Sequence, residues 1–208
     1  MAGLCEYRLM IQPAGDLEDL LKAQLKKIAG EVYHKETDKV IFRVRTTNGQ
    51  TNPRKLFIPG DGRVIGVEIL PHITLSQKIV VNEDREGELV EIIKEIAHKI
   101  SHFALTSTKI GDYGEDFTIF LAFEQSPSAD RLVELINSRF GRFFSAEREK
   151  RDVLHTTLIY DDADSKNIEK AAKIIEENKL VGCTLPVDSL WLWKNQPGWQ
   201  PCKEFRLG

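Results

Sequence analysis

Two short stretches of the sequence, His72-Ile73-Thr74-Leu75 and His155-Thr156-Thr157-Leu158, share a histidine, one intervening residue, a threonine and a leucine. Each stretch lies in a segment with the composition of a β-strand, the first over residues 70–77 and the second over 153–160. Because successive strand residues point to opposite faces, each histidine shares a face with the threonine two positions on. The repeat predicts two strands that present histidine and threonine side chains to one groove.

The segments around these stretches follow the same order in both halves of the chain. A strand (6–12 in the first half, 117–123 in the second) leads through a proline-bearing turn into an amphipathic helix. We expect Gly30 to end the first of these helices and Ser126 to cap the second. The histidine strand and another amphipathic helix then follow, and the helices are predicted at about 84–99 and 165–178.

The first half also carries an insertion of about 30 residues before His72, which we place at residues 31–66. Its pattern predicts a hairpin of Val40–Arg45 and Lys55–Pro59 around a polar loop. The C-terminal segment predicts two strands, 184–194 and 202–207, around an Asn-Gln-Pro-Gly turn. Together the patterns indicate an internal duplication that builds mixed α and β layers around one groove.

Composition limits the class of protein. The chain has 208 residues, of which 41% are hydrophobic and 29% charged, so a wholly disordered chain is excluded. The net charge of −3 does not indicate a long nucleic-acid-binding surface. No apolar run approaches the roughly 20 residues of a membrane span, and the N-terminus lacks the pattern of a signal peptide. Three cysteines without a CxxC motif fit reduced thiols, so we expect a cytoplasmic protein.

Paired histidines and threonines have a defined chemical use. The pKa of a free imidazole is about 6.5, so at neutral pH one ring can accept a proton while the other donates one. Threonine hydroxyls can donate hydrogen bonds to non-bridging phosphate oxygens, where charge concentrates during displacement at phosphorus. We therefore interpret His72 and His155 as candidate acid and base, in either assignment, and Thr74 and Thr157 as candidate phosphate-binding residues. This chemistry needs no metal or cofactor.

The two motifs resemble the paired HxTx motifs of the two-histidine (2H) phosphoesterase superfamily, which includes 2′-5′ RNA ligase-like proteins and RNA 2′,3′-cyclic phosphodiesterases. The opening Tyr7–Pro13 segment, the strand at 118–120 and the closing Glu204–Leu207 segment also look like this family. The chain departs from the family's pattern at Ile159-Tyr160, where many members carry a basic residue, and at Ser76-Gln77-Lys78, which lacks the usual aromatic. These departures bear on the substrate more than on the reaction.

The resemblance implies an α+β fold in one domain over residues 1–208. It implies two pseudo-symmetric, intertwined lobes, roughly 1–102 and 103–208, of mostly antiparallel sheet with helices outside and a central cleft. It also implies metal-independent hydrolysis, or in reverse ligation, of 2′,3′-cyclic phosphate or 2′-5′ phosphodiester bonds. RNA ends or small nucleotides would be the substrates. We expect no membrane contact and no obligate protein partner.

Other interpretations stay open at this stage. The histidines could be structural, or the same cleft could bind nucleotides or RNA ends without turnover. His98 and His102, with Glu95, have a spacing that could hold a metal, although their charged surroundings favour a solvated face. A basic stretch before the second motif could guide a polyanion or form a solvated loop. Candidate base-stacking aromatics are Phe120, Tyr160, Trp191, Trp193 and Trp199, although the shared face of Trp191 and Trp193 is more typical of a core.

Overall fold

The computed structural model describes residues 3–33, 40–42, 67–112, 118–145, 153–159, 165–177, 179–196 and 198–208. Within them lie eleven β-strands: β1 Leu4–Ile11, β2 Val40–Phe42, β3 Val67–Ile69, β4 Ile73–Thr74, β5 Ile79–Asn82, β6 Phe103–Asp112, β7 Ile119–Phe123, β8 His155–Ile159, β9 Thr184–Val187, β10 Ser189–Asn195 and β11 Trp199–Arg206. The α-helices are α1 Asp16–Tyr33, α2 Glu86–Ala97, α3 Pro127–Phe140 and α4 Ser165–Glu176. Helix α2 follows a 3₁₀ turn at Glu83–Arg85, and α3 is followed by one at Gly141–Phe143.

Nine of the described strands form one antiparallel sheet in the order β11-β10-β1-β4-β8-β7-β6-β9, with β5 also pairing with β1. We call β11, β10, β1 and β4 the first half-sheet and β8, β7, β6 and β9 the second half-sheet. One strand of each half crosses to the other half-sheet: β6, which follows α2, pairs with β7, and β10, which follows β9, pairs with β1. The two half-sheets are therefore built partly from each other's chain, while the predicted boundary near residue 102 stays a prediction.

All four helices cover one face of this sheet. Their buried side chains join those of the strands in a single hydrophobic core, which includes Leu21 of α1, Ile93 of α2, Ile136 of α3 and Ile175 of α4. Helix α1 packs on α4, and α2 packs on α3, so each helix contact joins the two halves. We call the opposite face of the sheet the histidine face, because the candidate site lies on it. The predicted α+β fold is confirmed.

The sheet is curled. Strand β9 ends at Val187 and β10 begins at Ser189, so Asp188 alone connects them. Yet β9 is at one end of the strand order and β10 is second from the other end. Because one residue spans at most about 3.6 Å, the free edge of the second half-sheet must curve back towards β10.

Local sequence signals account for most element boundaries. The Ser126 hydroxyl accepts a hydrogen bond from the Ala129 amide at 3.2 Å, which is the predicted N-cap of α3. Gly198, with φ of 92°, closes the predicted turn between β10 and β11, where its amide bonds to the Asn195 side chain. Gly30 does not end α1, which continues to Tyr33, because one glycine costs a helix only about 1 kcal/mol.

The first histidine strand is shorter than predicted. Strand β4 contains only Ile73 and Thr74, and the ladder with β1 resumes at β5. Between them, the buried Ser76 hydroxyl accepts a hydrogen bond from the Leu9 amide at 2.9 Å, in place of a backbone carbonyl. The predicted C-terminal strand over 184–194 is likewise divided at Asp188 into β9 and β10. The predicted 40–45 strand is described only at Val40–Phe42, which pairs with β3, while its predicted partner Lys55–Pro59 lies outside the described residues.

Candidate active site

The two histidine motifs meet at the centre of the sheet, where the half-sheets join. Ile73 of β4 pairs with Thr156 of β8, and both side chains are fully buried on the helix-covered face. Counting one residue in each direction along this antiparallel pair sets His72 across from Thr157 and Thr74 across from His155. The structure thus brings the four predicted site residues to the histidine face, and all four are half-buried.

The four side chains occupy the corners of a rectangle. His72 and His155 lie on one diagonal, and Thr74 and Thr157 lie on the other. Diagonal neighbours on adjacent strands are about 7–8 Å apart, which leaves room for one tetrahedral anion between the two imidazoles. Each corner histidine therefore faces the threonine of the other motif.

Each imidazole is held by the same local hydrogen bond. Nδ1 of His72 is 2.8 Å from the Leu70 carbonyl oxygen, and Nδ1 of His155 is 2.9 Å from the Val153 carbonyl oxygen. A carbonyl oxygen only accepts hydrogen bonds, so Nδ1 carries a proton in both rings. The nitrogen that gains and loses a proton is then Nε2 in each case.

An aromatic ring packs against each imidazole. The Trp193 ring lies 5.1 Å from the His72 ring at 45°, and the Phe120 ring lies 5.1 Å from the His155 ring at 53°. Trp193 comes from β10 and His72 from the first half of the chain, so this contact joins the two halves. Such contacts restrict ring rotation and exclude water from one side of each imidazole.

Phe120 packs closely on Gly111, its partner in the ladder between β6 and β7. A Cβ atom at position 111 would lie 2.5 and 2.7 Å from two carbon atoms of the Phe120 ring. A side chain at position 111 would therefore force the Phe120 ring, which also packs on His155, or β6 itself to move. Sequence reasoning did not identify Gly111, since only the strand register reveals its contact.

A small apolar cluster, separate from the main core, lies on the first half-sheet and includes Trp193, which packs on His72. It consists of the buried Met10 and Trp193 with the partly buried Leu70, Trp191 and Trp199. The Arg8 guanidinium lies 5.0 Å from the centre of the Trp199 ring, in cation–π contact. Alternation correctly paired Trp191 with Trp193, and their shared face is the histidine face. Tyr160 lies outside the described residues.

The basic residues before the second motif divide into two groups. Arg139 forms an ion pair with Glu95, and Arg142 forms one with Glu88, so both bind α2 on the helix-covered side. They are engaged there and do not line the site. The other three, Arg148, Lys150 and Arg151, lie outside the described residues.

A polar cluster on the helix-covered face joins β1, β10 and α2. The Tyr7 hydroxyl donates to Glu86 Oε2 at 2.6 Å, and Lys194 Nζ donates to the same oxygen at 3.0 Å. The hydrogen bond from Tyr7, followed by those with Lys194, lowers the pKa of Glu86 despite its partial burial. Burial, reinforced by the Glu86 carboxylate, raises the pKa of Tyr7. This cluster holds the residue next to Trp193 in place.

Among the described residues, no group of three or more His, Cys, Asp or Glu side chains is arranged to hold a metal ion. Glu95, part of the His98 and His102 grouping, is used by Arg139. The predicted absence of a metal stays a prediction. Cys5, Cys183 and Cys202 are free thiols. None of the described helices is both long and apolar enough to cross a membrane.

Comparison with known proteins gives the family. The chain resembles E. coli LigT solved with 3′-AMP (TM-score 0.57, 15% identity, 99% of both chains covered) and TT0787 of Thermus thermophilus (TM-score 0.57, 12% identity, 97% of both chains covered). At these identities the likeness shows the fold alone. No curated protein sequence matches the chain. The family model described as the 2′-5′ RNA ligase superfamily matches residues 66–199, which include both histidine motifs. The chain therefore belongs to the 2′-5′ RNA ligase superfamily, whose members are 2H phosphoesterases.

Proposed function

We propose that the protein is a metal-independent phosphoesterase that hydrolyses 2′,3′-cyclic phosphate or 2′-5′ phosphodiester bonds in RNA or nucleotides. One observation carries the proposal: two imidazoles on adjacent central strands, each fixed through Nδ1 to a carbonyl two residues earlier. Membership of the superfamily supports the reaction class. The solved LigT complexes with 3′-AMP and with phosphate support an anion of this kind as ligand.

The rectangular arrangement suits in-line displacement at phosphorus. In-line attack requires the base and the acid on opposite sides of the phosphorus atom, and the two histidines occupy opposite corners. Nε2 of the neutral ring takes a proton from water as its oxygen attacks phosphorus. Nε2 of the protonated ring gives a proton to the ribose oxygen as the P–O bond breaks. Thr74 and Thr157, on the other diagonal, donate hydrogen bonds to the non-bridging oxygens as their charge increases.

The test is turnover of a 2′,3′-cyclic mononucleotide and of a 2′-5′ dinucleotide in the presence of EDTA. We expect activity in the parent protein and a loss of about 10²–10⁴-fold in His72→Ala and in His155→Ala. His102→Ala is the matched control, because this exposed histidine lies outside the site. Activity that disappears with EDTA would contradict the metal-independent mechanism. Nucleotide binding without any turnover in the parent would instead identify a catalytically silent nucleotide- or RNA-end-binding module.

We propose that the substrates are RNA ends or small nucleotides and that the protein acts in the cytoplasm. The chemistry of the site supports the substrates. The free thiols of Cys5, Cys183 and Cys202 support the location, because a reducing compartment keeps cysteines unpaired. Hydrolysis and ligation share this site by microscopic reversibility, so the substrates present decide the direction.

A further inference from the structure

Lys109 of β6 lies on the histidine face of the second half-sheet, and the mechanism proposed above does not use it. A Cβ atom on Gly111 would meet the Phe120 ring, which packs on His155, so Gly111 is on that face. Lys109 is two residues before Gly111 in the same strand and therefore shares its face. Ile110, between them, packs against the main core instead. The Lys109 side chain is exposed.

A β-bulge at Thr108 gives Lys109 this orientation. The register between β6 and β7 shifts between Ser107 and Lys109. Ser107 is buried on the helix-covered side, where it pairs with Phe123 of the main core. In a regular strand Lys109 would share the face of Ser107, and the extra residue turns it to the histidine face instead. Bulges re-aim side chains in this way next to active sites.

One row of the strand ladder runs from Lys109 to the candidate site. Lys109 pairs with Ala122 of β7, and Ala122 pairs with His155 of β8. Ala122 is fully buried but outside the main core, and it places only a methyl group between the two longer side chains. Since neighbouring strands are about 4.8 Å apart, the Cα atoms of Lys109 and His155 are about 10 Å apart. The Lys109 side chain can therefore extend over Ala122 towards the site.

The length of a lysine side chain decides which phosphate Lys109 can reach. A phosphate between the two imidazoles lies over the seam of β4 and β8, about 12 Å across the sheet from the Lys109 Cα atom. An extended lysine side chain spans about 6 Å from Cα to Nζ, so a gap of about 6 Å remains. A gap of this size is about the width of one ribose. The ammonium group therefore reaches the next phosphate of a nucleotide chain and not the reacting one.

Lys109 also has the charge that this contact needs. Apart from His155, it is the only residue with an ionisable side chain that alternates to the histidine face in the described strands β6 to β9. Its ammonium group has no hydrogen bond or ion pair within the described part of the chain. Glu124, which follows β7, is likewise not paired with it there. An unengaged cation beside the site attracts a phosphate group.

We propose that Lys109 binds the phosphate group on the 5′ side of the nucleoside whose cyclic phosphate lies between His72 and His155. The protein would then favour RNA ends over nucleosides that carry the cyclic phosphate alone. This inference rests on the proposed phosphoesterase function for the position of the reacting phosphate. An ammonium group binds phosphate as a point charge and does not read a base. The selectivity therefore concerns the length of the substrate and not its sequence.

The experiment compares 2′,3′-cyclic AMP with the same nucleotide carrying a 5′-phosphate, so that the two substrates differ by one phosphate group. We expect the parent to have a kcat/KM about tenfold higher for the 5′-phosphorylated substrate, through a lower KM. In Lys109→Met, which keeps an unbranched stem and removes the charge, this preference should fall to within about twofold. Lys26→Met, at an exposed position of α1 without an ion pair in the described chain, is the matched control and should keep the preference.

Equilibrium binding of 3′-AMP and of adenosine 3′,5′-bisphosphate separates the two proposals, because it needs no turnover. Equal turnover and equal binding with and without the 5′-phosphate would overturn the role of Lys109 and leave the phosphoesterase intact. Absence of turnover, with tighter binding of the bisphosphate that Lys109→Met abolishes, would overturn the enzyme and support the Lys109 contact. A 5′-phosphate preference that is unchanged in Lys109→Met would assign that phosphate to another group and overturn the inference.

Discussion

The two histidine strands are alike in what fixes each imidazole and unlike in what surrounds it. Both rings bond through Nδ1 to the carbonyl two residues earlier, and both pack on an aromatic ring at 5.1 Å. Beside His72 the first half-sheet adds a tryptophan cluster that includes Trp193. Around His155 the structure shows Phe120 packed on Gly111. The hydrogen bond through Nδ1 and the aromatic contact, which both histidines share, are what acid–base chemistry needs. The different surroundings of the two histidines are where the protein can distinguish one side of a substrate from the other.

The strongest test of this likeness combines the two histidine substitutions. If the imidazoles act as a pair, His72→Ala/His155→Ala should be about as inactive as either single variant, because removing one partner already stops the proton transfers. Single-turnover rates on a 2′,3′-cyclic nucleotide would measure this. Losses that multiply in the double variant would show two independent contributions.

Thr156 and Thr157 are adjacent in β8, so their side chains lie on opposite faces of the sheet. Thr157→Val removes a hydroxyl at the site and should lower kcat by about 10²-fold with little change in stability. Thr156 is fully buried on the other face, and its hydroxyl has no hydrogen-bond partner among the described residues. Thr156→Val should therefore leave kcat unchanged and raise the free energy of unfolding by about 1 kcal/mol. Urea denaturation and turnover of both variants give the comparison, and the opposite pattern would reverse the assignment of faces.

Gly111→Ala tests the support on the His155 side. The new methyl group would overlap the Phe120 ring, so either the ring or β6 must move, at a cost of about 1–3 kcal/mol. We expect a lower Tm and a fall in kcat of about tenfold, because the displaced ring is the neighbour of His155. Gly111→Ala/Phe120→Leu should recover stability but not kcat. Gly87→Ala, where a Cβ atom has open space, is the control; an unchanged kcat in Gly111→Ala would remove Phe120 from the positioning of His155.

The smallest effect concerns the Tyr7, Glu86 and Lys194 cluster behind Trp193. The pKa of Glu86 is lowered in the folded protein, chiefly by the hydrogen bond from Tyr7. Its stabilising contribution is thus present above the unfolded pKa of about 4.3 and is lost as pH falls through the folded pKa. Since the Glu86 side chain is 37% exposed, we expect Glu86→Gln to cost less than about 1 kcal/mol at pH 7.

Urea denaturation at pH 7 and at pH 3 measures this cost. The difference between the parent and Glu86→Gln should shrink at the lower pH. A difference that is the same at both pH values would show that the carboxylate charge of Glu86 contributes nothing. Glu134→Gln, on α3 and without an ion pair among the described residues, serves as the control for a substitution outside the cluster.

The sequence was sufficient to predict those features that are determined by residues close together in the chain. The periodicity of the helices, the Ser126 cap and the shared face of each histidine and its threonine all follow from spacing along the chain. It could not find contacts that depend on register between distant strands. Trp193 reaches His72 only because β10 crosses to the first half-sheet, and Gly111 matters only because it pairs with Phe120. The break at Ser76 was missed because a side chain there replaces a backbone acceptor.

The single residue between β9 and β10 has a mechanical consequence. Separating the two half-sheets would break the pairing between β4 and β8. It would also pull β9 away from β10, although Asp188 alone connects them and spans at most about 3.6 Å. The β4–β8 pair and the link at Asp188 therefore both oppose a separation of the two half-sheets. A ligand must reach the paired imidazoles by fitting a surface that is already shaped, and the spacing between the two rings is set before it arrives.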